Sequence, residues 1–434
     1  MSFRDLGLAE PLLRAVAAAG YTDPTPIQSA SIPHVLAGRD ILGTAQTGTG
    51  KTAAFALPIL HRLLTTPPRQ ATRRPKIRAL VVSPTRELAA QIADSFEAYA
   101  RETALCHATI FGGVGQGPQV RALRDGVDIL VATPGRLLDL LEQGFVDLKC
   151  VEILVLDEAD RMLDMGFLPD VRRIVEHMPS ERQTILLSAT MPQPIAALAS
   201  SLLDNPARIR IAPVAATTKL IEQSVCFVEA KQKPRILTRF FKSRSIDRAL
   251  VFTRTKRGAD RVVRDLAKSG IRSAAIHGNK SQSNRQRALA NFKSRHTPIL
   301  IATDIAARGI DVEGISHVLN YDLPHEPETY VHRIGRTGRA GASGIAVSFC
   351  DVAERKLLQA IERLTRTALP VENLVPVEEQ AQAREPEVAP TVDRPQSIAR
   401  RRPPRFRRER ARQPIENNRR RSTSGGRNRS RSAS

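Results

Sequence analysis

The chain has 434 residues, more than one ordinary domain needs and enough for two of about 150–200 residues each. Hydrophobic residues make up 41% but aromatics only 4%, with no Trp, so any core is aliphatic and little remains for a base-stacking platform. Cys106, Cys150, Cys226 and Cys350 are scattered without C-x-x-C spacing, which argues against a disulfide scaffold or zinc site and for a reducing compartment. The start, MSFRDLGLAE, has no signal-like apolar run, and no stretch reaches the ~18–20 apolar residues of a spanning helix. A cytoplasmic protein with no membrane partner is expected. Of the net charge of +22, residues 399–434 carry +12, from fourteen Arg against Glu409 and Glu416. A basic tail of this kind points to a polyanion partner.

In chain order, short aliphatic runs alternate with helix-like stretches. Ile41 and Leu42 lead into a Gly-rich turn and then a helical pattern over 53–64. Strand-like runs follow at 78–82, 128–132, 152–156 and 184–187. A second series occupies 249–252, 273–276, 299–302, 317–320 and 345–349. Continuous apolar strands alternating with helices predict an α/β fold with two parallel sheets, each covered by helices on both faces. Ligands of such sheets bind at the carboxyl ends of the strands. The segment IAPVAATTK suits a hinge. The expected organisation is a first domain over 1–211, a linker at 212–219, a second domain over 220–369 and a disordered tail over 370–434, Arg-rich from 399.

Three motifs carry chemistry. AQTGTGKT, residues 45–52, resembles a P-loop. Gly48 and Gly50 let backbone N–H groups approach phosphates, Lys51 reaches the β/γ-phosphates, and Thr52 suits Mg²⁺. Ala45 stands where the general pattern begins with Gly. ILVLDEAD, residues 153–160, runs an apolar strand into consecutive carboxylates, 106 residues from Lys51 to Asp157. Asp157 is placed to hold Mg²⁺, and Glu158 to deprotonate an attacking water. HRIGRTGR, residues 332–339, offers Arg336 and Arg339 as arginine fingers on a γ-phosphate. By itself it equally suits a solvated basic helix or a nucleic-acid phosphate patch.

Together these motifs resemble the DEAD-box RNA helicases, and further matches follow in that family's order. GYTDPTPIQ (20–28) is similar to the Q motif, with Phe3 upstream. PTRELA (84–89), the pair Gly112 and Gly113, TPGR (133–136) and SAT (188–190) lie in the first half. VFTRTK (251–256), ATDIAARGID (302–311) and HRIGRTGR lie in the second. The resemblance covers roughly residues 1–370 and implies two tandem RecA-like domains. HGNKSQ (277–282), FGGVGQGPQ (111–119) and RMLDMGF (161–167) resemble the bacterial RhlE-like subgroup. Asn279 departs from the Asp that many members carry, which puts an ion pair there in doubt.

The resemblance implies roles residue by residue. Gln28 would read the adenine edge, with Phe3 or Tyr21 stacking on the base. Ala45, Gln46, Thr47, Gly48, Thr49, Gly50, Lys51 and Thr52 would wrap the phosphates, and Asp311 would touch the ribose. Lys51, Asp157, Glu158, Arg336 and Arg339 would be catalytic, with Thr52 and Asp157 on the metal. Asp160, Ser188, Thr190 and His332 would couple the ATP site to RNA. Thr85, Arg86, Gly113, Thr133 and Arg136, then Thr253, Thr303 and Arg308, would line RNA. The implied activity is an RNA-stimulated ATPase and helicase using ATP and Mg²⁺. It would unwind short duplexes or remodel RNA–protein complexes, with single strands, short duplexes, ribosomal precursors or RNA-decay complexes as partners and a monomeric core. The alternatives are an ATP-gated RNA clamp or annealing factor, a DNA motor, and a catalytically dead RNA-binding protein.

Overall fold

The computed structural model describes residues 2–45, 48–67, 75–211, 221–307, 312, 314–338 and 343–373. Among them are two parallel β-sheets. The first comprises β1 (Ile41–Thr44), β2 (Ala79–Val82), β3 (His107–Ile110), β4 (Ile129–Ala132), β5 (Ile153–Leu156), β6 (Gln183–Ser188) and β7 (Ala207–Arg210), in the order β3-β4-β2-β5-β6-β1-β7. The second comprises β8 (Ile221–Phe227), β9 (Ala249–Phe252), β10 (Ser273–Ile276), β11 (Ile299–Ala302), β12 (His317–Asn320) and β13 (Gly344–Cys350), in the order β10-β11-β9-β12-β13-β8.

The strand interiors show why both faces are covered. Along β2, β4 and β5, Ala79, Val81, Ile129, Val131, Ile153 and Val155 enter one apolar cluster with the helices Lys51–Thr65 and Arg86–Ala100. The alternating partners Leu80, Val82, Leu130, Ala132, Leu154 and Leu156 enter a second, with Leu137, Val171 and Leu198 from helices on the other face. The period of two therefore divides uninterrupted apolar runs between two cores. The second sheet does the same: Val251 and Ile301 pack against the helices Lys233–Ser243 and Lys256–Lys268, whereas Leu250 and Leu300 pack against Gln282–Lys293.

The second series of strands is where the sequence places it, to the residue for β9 through β12. Three strands lie outside the sequence expectation. β3, β7 and β8 each sit at a sheet edge and bury only part of their side chains, so their sequences lack an apolar run. Residues 370–372, assigned to the tail by composition, instead lie along β8. Val225 N donates to Pro370 O at 2.9 Å, Glu372 N donates to Val225 O at 2.8 Å, and Glu372 pairs with Arg244. Buried Leu369 anchors that turn. The linker 212–219 and the tail from 374 onward lie outside the described residues, as do Gln46, Thr47, Arg308, Asp311 and Arg339.

Candidate active site

All strands of a parallel sheet point the same way, so the motifs that follow them collect at one edge. β1 feeds the P-loop, which turns into the helix Lys51–Thr65 through Gly48 (φ +85°) and Gly50 (φ +91°), both in the left-handed region. Gly50 also has no room for a side chain: a Cβ there would lie 2.5 Å from Gln28 Nε2. Gln28 is buried; its Oε1 accepts from Thr25 N at 2.9 Å and its Nε2 donates to Gly50 O at 3.2 Å. The Q-motif glutamine thus touches the phosphate loop directly. Lys51 is buried as well, with Nζ donating to Ala45 O at 3.1 Å across that loop. Phe3 is buried and stacks on half-exposed Tyr21, ring centroids 6.5 Å apart.

β5 ends in Asp157, only 2% exposed. Its Oδ1 accepts from Glu158 N at 3.0 Å. Burial pushes the Asp157 carboxyl up to about 6, against the pull of the Lys51 ammonium and with the Glu158 charge adding to the rise. A desolvated carboxylate beside one ammonium is the setting that a hard divalent cation would relieve. Asp157 therefore fits a divalent cation such as Mg²⁺. Glu158 sits in left-handed backbone, φ +54° and ψ 53°, an uncommon place for a side chain other than Asn, Asp or Gly. Its carboxylate meets the Arg161 guanidinium at 2.9 Å, both groups buried.

Asp160 joins β5 to β6. Its Oδ2 accepts from Ala189 N at 3.1 Å, Thr190 N at 2.8 Å and Thr190 Oγ1 at 2.9 Å. In return Asp160 N donates to Ser188 Oγ at 3.1 Å, and Ser188 Oγ donates to Thr190 O at 2.7 Å. The DEAD and SAT segments thus form one closed hydrogen-bonded unit.

In the second lobe, the arginines of HRIGRTGR are told apart by their partners. Arg333 is 2% exposed, grips Asp304 through two bonds of 2.6 and 2.8 Å, donates to Asn320 Oδ1 and Asp322 O, and lies over the Phe252 ring. It is a structural arginine, a role that sequence reading missed. Arg336 donates through Nε to His332 O at 3.4 Å. Arg336, Arg333 and His332 line a small cavity of about 20 Å³ with Asp304, Phe252 and, from the first lobe, Arg161. His332 therefore shares this cavity with the DEAD helix.

Of the residues expected on RNA, Arg86 and Gly113 are adjacent: Gly113 has φ +76°, and a Cβ there would collide with the Arg86 guanidinium. Burial, and next the Arg285 charge, lower the Arg86 pKa, while Glu87 opposes them. Thr85 caps its helix by accepting from Leu88 N at 3.3 Å. Thr133 N donates to Ile110 O at 3.1 Å, and Arg136 reaches Val114 O at 3.5 Å. Thr253 Oγ1 donates to Thr255 O at 3.4 Å, and Thr303 O accepts from Ala306 N and Ala307 N.

The sequence reading also missed a bridge between the lobes. Glu87 of PTRELA accepts from Gln282 Nε2 at 3.1 Å and meets Arg285 Nε at 3.0 Å, while Arg86 donates to Gln282 Oε1 at 3.3 Å. Its signal is a Gln and an Arg three apart, after the N-cap Ser281. At Asn279, Oδ1 accepts from Lys256 Nζ at 2.9 Å, so a neutral acceptor takes the place of an ion-pair carboxylate.

Comparison with known proteins accounts for this geometry. The DEAD/DEAH box helicase family matches residues 25–198 and the helicase conserved C-terminal domain matches 232–341. The ATP-dependent RNA helicase CshA of Limosilactobacillus reuteri is 42% identical over 369 residues, 85% of this chain and 73% of that protein. The DEAD-box ATP-dependent RNA helicase RhpA of Helicobacter pylori is 43% identical over 362 residues, 83% of this chain and 72% of that protein. The chain belongs to the DEAD-box ATP-dependent RNA helicases. Its two sheets are the tandem RecA-like domains of that family, and its activity is an ATP-dependent, RNA-stimulated one. S. cerevisiae Dbp5 bound to RNA and ADP BeF3 is similar in structure, with a TM-score of 0.77 at 30% identity over 88% of this chain and 98% of that one. No described helix is long and apolar enough to cross a membrane.

Proposed function

We propose that this DEAD-box helicase separates short RNA duplexes locally, or remodels RNA–protein complexes, by closing its two lobes on ATP and RNA together. The observation that carries this reading is the cavity shared by Arg161 of the DEAD helix and His332 and Arg336 of the second lobe. A nucleotide at the P-loop brings its γ-phosphate to this boundary. In the proposed mechanism Lys51 binds the β/γ-phosphates, Thr52 and Asp157 hold Mg²⁺, and Glu158 takes the proton of the attacking water. Mg²⁺ when bound neutralises phosphate charge. Arg336 and Arg339 complete the site from the second lobe, and Asp311 meets the ribose. Gln28, with Phe3 and Tyr21 beside it, selects adenine.

Asp160, Ser188 and Thr190 pass the change on as one unit, with His332 facing it from the other lobe. Thr85, Arg86, Gly113, Thr133 and Arg136 meet RNA phosphates on the first lobe, and Thr253, Thr303 and Arg308 on the second. Because ATP and RNA favour the same closed arrangement, each raises the affinity for the other. The proposed working unit is a monomeric core of domains 1–211 and 220–369 joined by the linker 212–219, acting in the cytoplasm. The competing reading is an ATP-gated clamp or annealing factor. A duplex-unwinding assay separates them: a short duplex with a single-stranded flank is displaced under ATP if the proposal holds. Binding of RNA with ATPase turnover but no strand displacement would leave the clamp.

A further inference from the structure

Outside the tail, the basic surplus of this chain sits in one segment. Residues 231–272 carry fourteen Lys and Arg against three acids, a net +11. The rest of the chain up to residue 398 carries 38 basic and 39 acidic side chains. That concentration maps onto two helices that pack on the same face of the second sheet. Ile236, Leu237 and Phe240 of Lys233–Ser243 and Ala259, Val262 and Leu266 of Lys256–Lys268 enter one apolar cluster with Val251 and Ile301. Helical periodicity then turns the remaining positions outward. Arg235, Arg239 and Lys242, spaced i, i+4, i+7, form an exposed stripe on the first helix. Arg257, Arg261, Arg264 and Lys268 form the corresponding exposed stripe on the second.

A shallow groove of about 510 Å³ runs along the first stripe, lined by Arg235, Arg239, Lys242 and, from the end of the second helix, Ser269. Three acids lie in the segment, Asp247, Asp260 and Asp265. Asp265 pairs with Lys268 at 3.0 Å, and Asp260 faces Lys280 and His277 instead of the stripes. The second helix begins directly after Thr253–Thr255, at the carboxyl end of β9 where the RNA-facing motif lies. Its stripe therefore starts at the edge of the proposed RNA groove. It runs away from that edge for about 16 Å at 1.5 Å per residue.

We infer that this two-helix face is a second RNA-binding surface, which takes the phosphate backbone of RNA leaving the interlobe groove. Two rows of cations on packed helices, about 8–10 Å apart, suit a polyanion held by charge rather than by base edges. No aromatic ring is needed for such contacts. The surface would hold structured RNA beside the site of strand separation without choosing its sequence. The inference rests on the RNA-directed reading of the core.

The test uses the full chain and three variants: Arg235→Gln/Arg239→Gln/Lys242→Gln, Arg257→Gln/Arg261→Gln/Arg264→Gln, and a control with exposed cations removed elsewhere, Arg101→Gln/Arg172→Gln/Arg208→Gln. Affinity is measured against salt for a short single strand that fills only the groove and for a hairpin RNA carrying a long single-stranded flank. Each stripe variant is expected to bind the hairpin about ten- to a hundredfold more weakly, with the salt slope reduced by roughly 2 for three lost phosphate contacts. Its affinity for the short strand and its ATPase at saturating short strand are expected to match the unmodified chain. An unchanged hairpin affinity and slope, or an equal loss in the control, would overturn the inference. Equal losses on both RNAs would also overturn it, by placing the stripes in the groove itself. If the unmodified chain shows no RNA-stimulated ATPase, it is the core reading that fails. Circular dichroism melts check that each variant folds.

Discussion

Asp157→Asn should make the first lobe more stable while abolishing its chemistry. Folding raises the Asp157 carboxyl from 3.8 to about 6, chiefly by burial. At neutral pH the folded chain therefore carries a charge that the unfolded chain carries more comfortably. A rise of about 2 units corresponds to about 3 kcal/mol. The sign follows from proton counting. Between about pH 4 and 6 the folded state holds a proton that the unfolded state has lost, so stability falls as pH rises through that window and the full penalty stands above it. Asn keeps an oxygen for the 3.0 Å bond from Glu158 N and removes the charge. That figure already nets the Lys51 attraction against burial, so about 3 kcal/mol is an upper bound and we expect a gain of about 1–3 kcal/mol at neutral pH. At about 2–4 °C per kcal/mol for a lobe of this size, the melting temperature should rise by about 3–10 °C. Thermal melts from about pH 4 to pH 7.5 read this directly. The advantage of the variant should vanish at the acid end, and its RNA-stimulated ATPase should be absent throughout. A variant less stable than the parent at neutral pH, or an advantage that persists unchanged in acid, would refute the reasoning.

Glu158→Gln should bind ATP and RNA with parental affinity and hydrolyse about 10²–10⁴-fold more slowly, the usual worth of a general base; parental turnover would remove Glu158 from that role. Arg336→Ala should lose about 10³-fold or more of RNA-stimulated turnover with ATP affinity retained, as checked by single-turnover kinetics and nucleotide titration. Arg333→Ala should instead act through folding. Asp304 loses a bidentate partner, so the second lobe should lose about 3–5 kcal/mol and become sensitive to limited proteolysis. Deleting residues 399–434, with their fourteen Arg, should weaken RNA binding and flatten its salt dependence while leaving core ATPase intact; an unaltered salt slope would give the tail another role.

What the sequence disclosed depended on whether the signal was contiguous. Strands β9 to β12 were readable to the residue because each is a short aliphatic run bounded by polar turns. β3, β7 and β8 were not, because His, Arg, Glu and Gln interrupt their apolar residues; β10 is an edge strand too, but its sequence SAAI carries no such side chain. The P-loop and the DEAD segment were readable because backbone geometry and chemistry fall within eight consecutive residues. The two described arginines of HRIGRTGR posed a harder problem. Composition makes Arg333 and Arg336 equivalent; the tertiary fold buries both at the shared cavity, and only their partners differ, Arg333 gripping Asp304 and Arg336 donating to His332 O. The Glu87–Arg285 pair joins residues 198 apart in sequence, and no local pattern in either segment names its partner.

The geometry also separates groups that must change partners from groups that need not. Lys51 gives a proton donor to Ala45 O, Gln28 gives one to Gly50 O, and Glu158 is held by Arg161. Hydrogen bonds to a charged group are worth about 1.5–3 kcal/mol, so the Lys51–Ala45 contact holds the loop but yields to a polyphosphate bearing several negative charges. If Glu158 is the base, its pair with Arg161 would have to loosen before the carboxylate meets a water, and Arg161 already faces the cavity that Arg336 lines. Asp160 differs: its Oδ2 already has three donors from the SAT segment, and losing them would strand a buried carboxylate. In the proposed mechanism, exchange at Lys51, Gln28 and Glu158 would register the nucleotide, while Asp160, Ser188 and Thr190 would move together and carry the displacement toward RNA. A switch built this way needs only closure and reopening of two lobes, which fits local remodelling better than continuous travel along a strand.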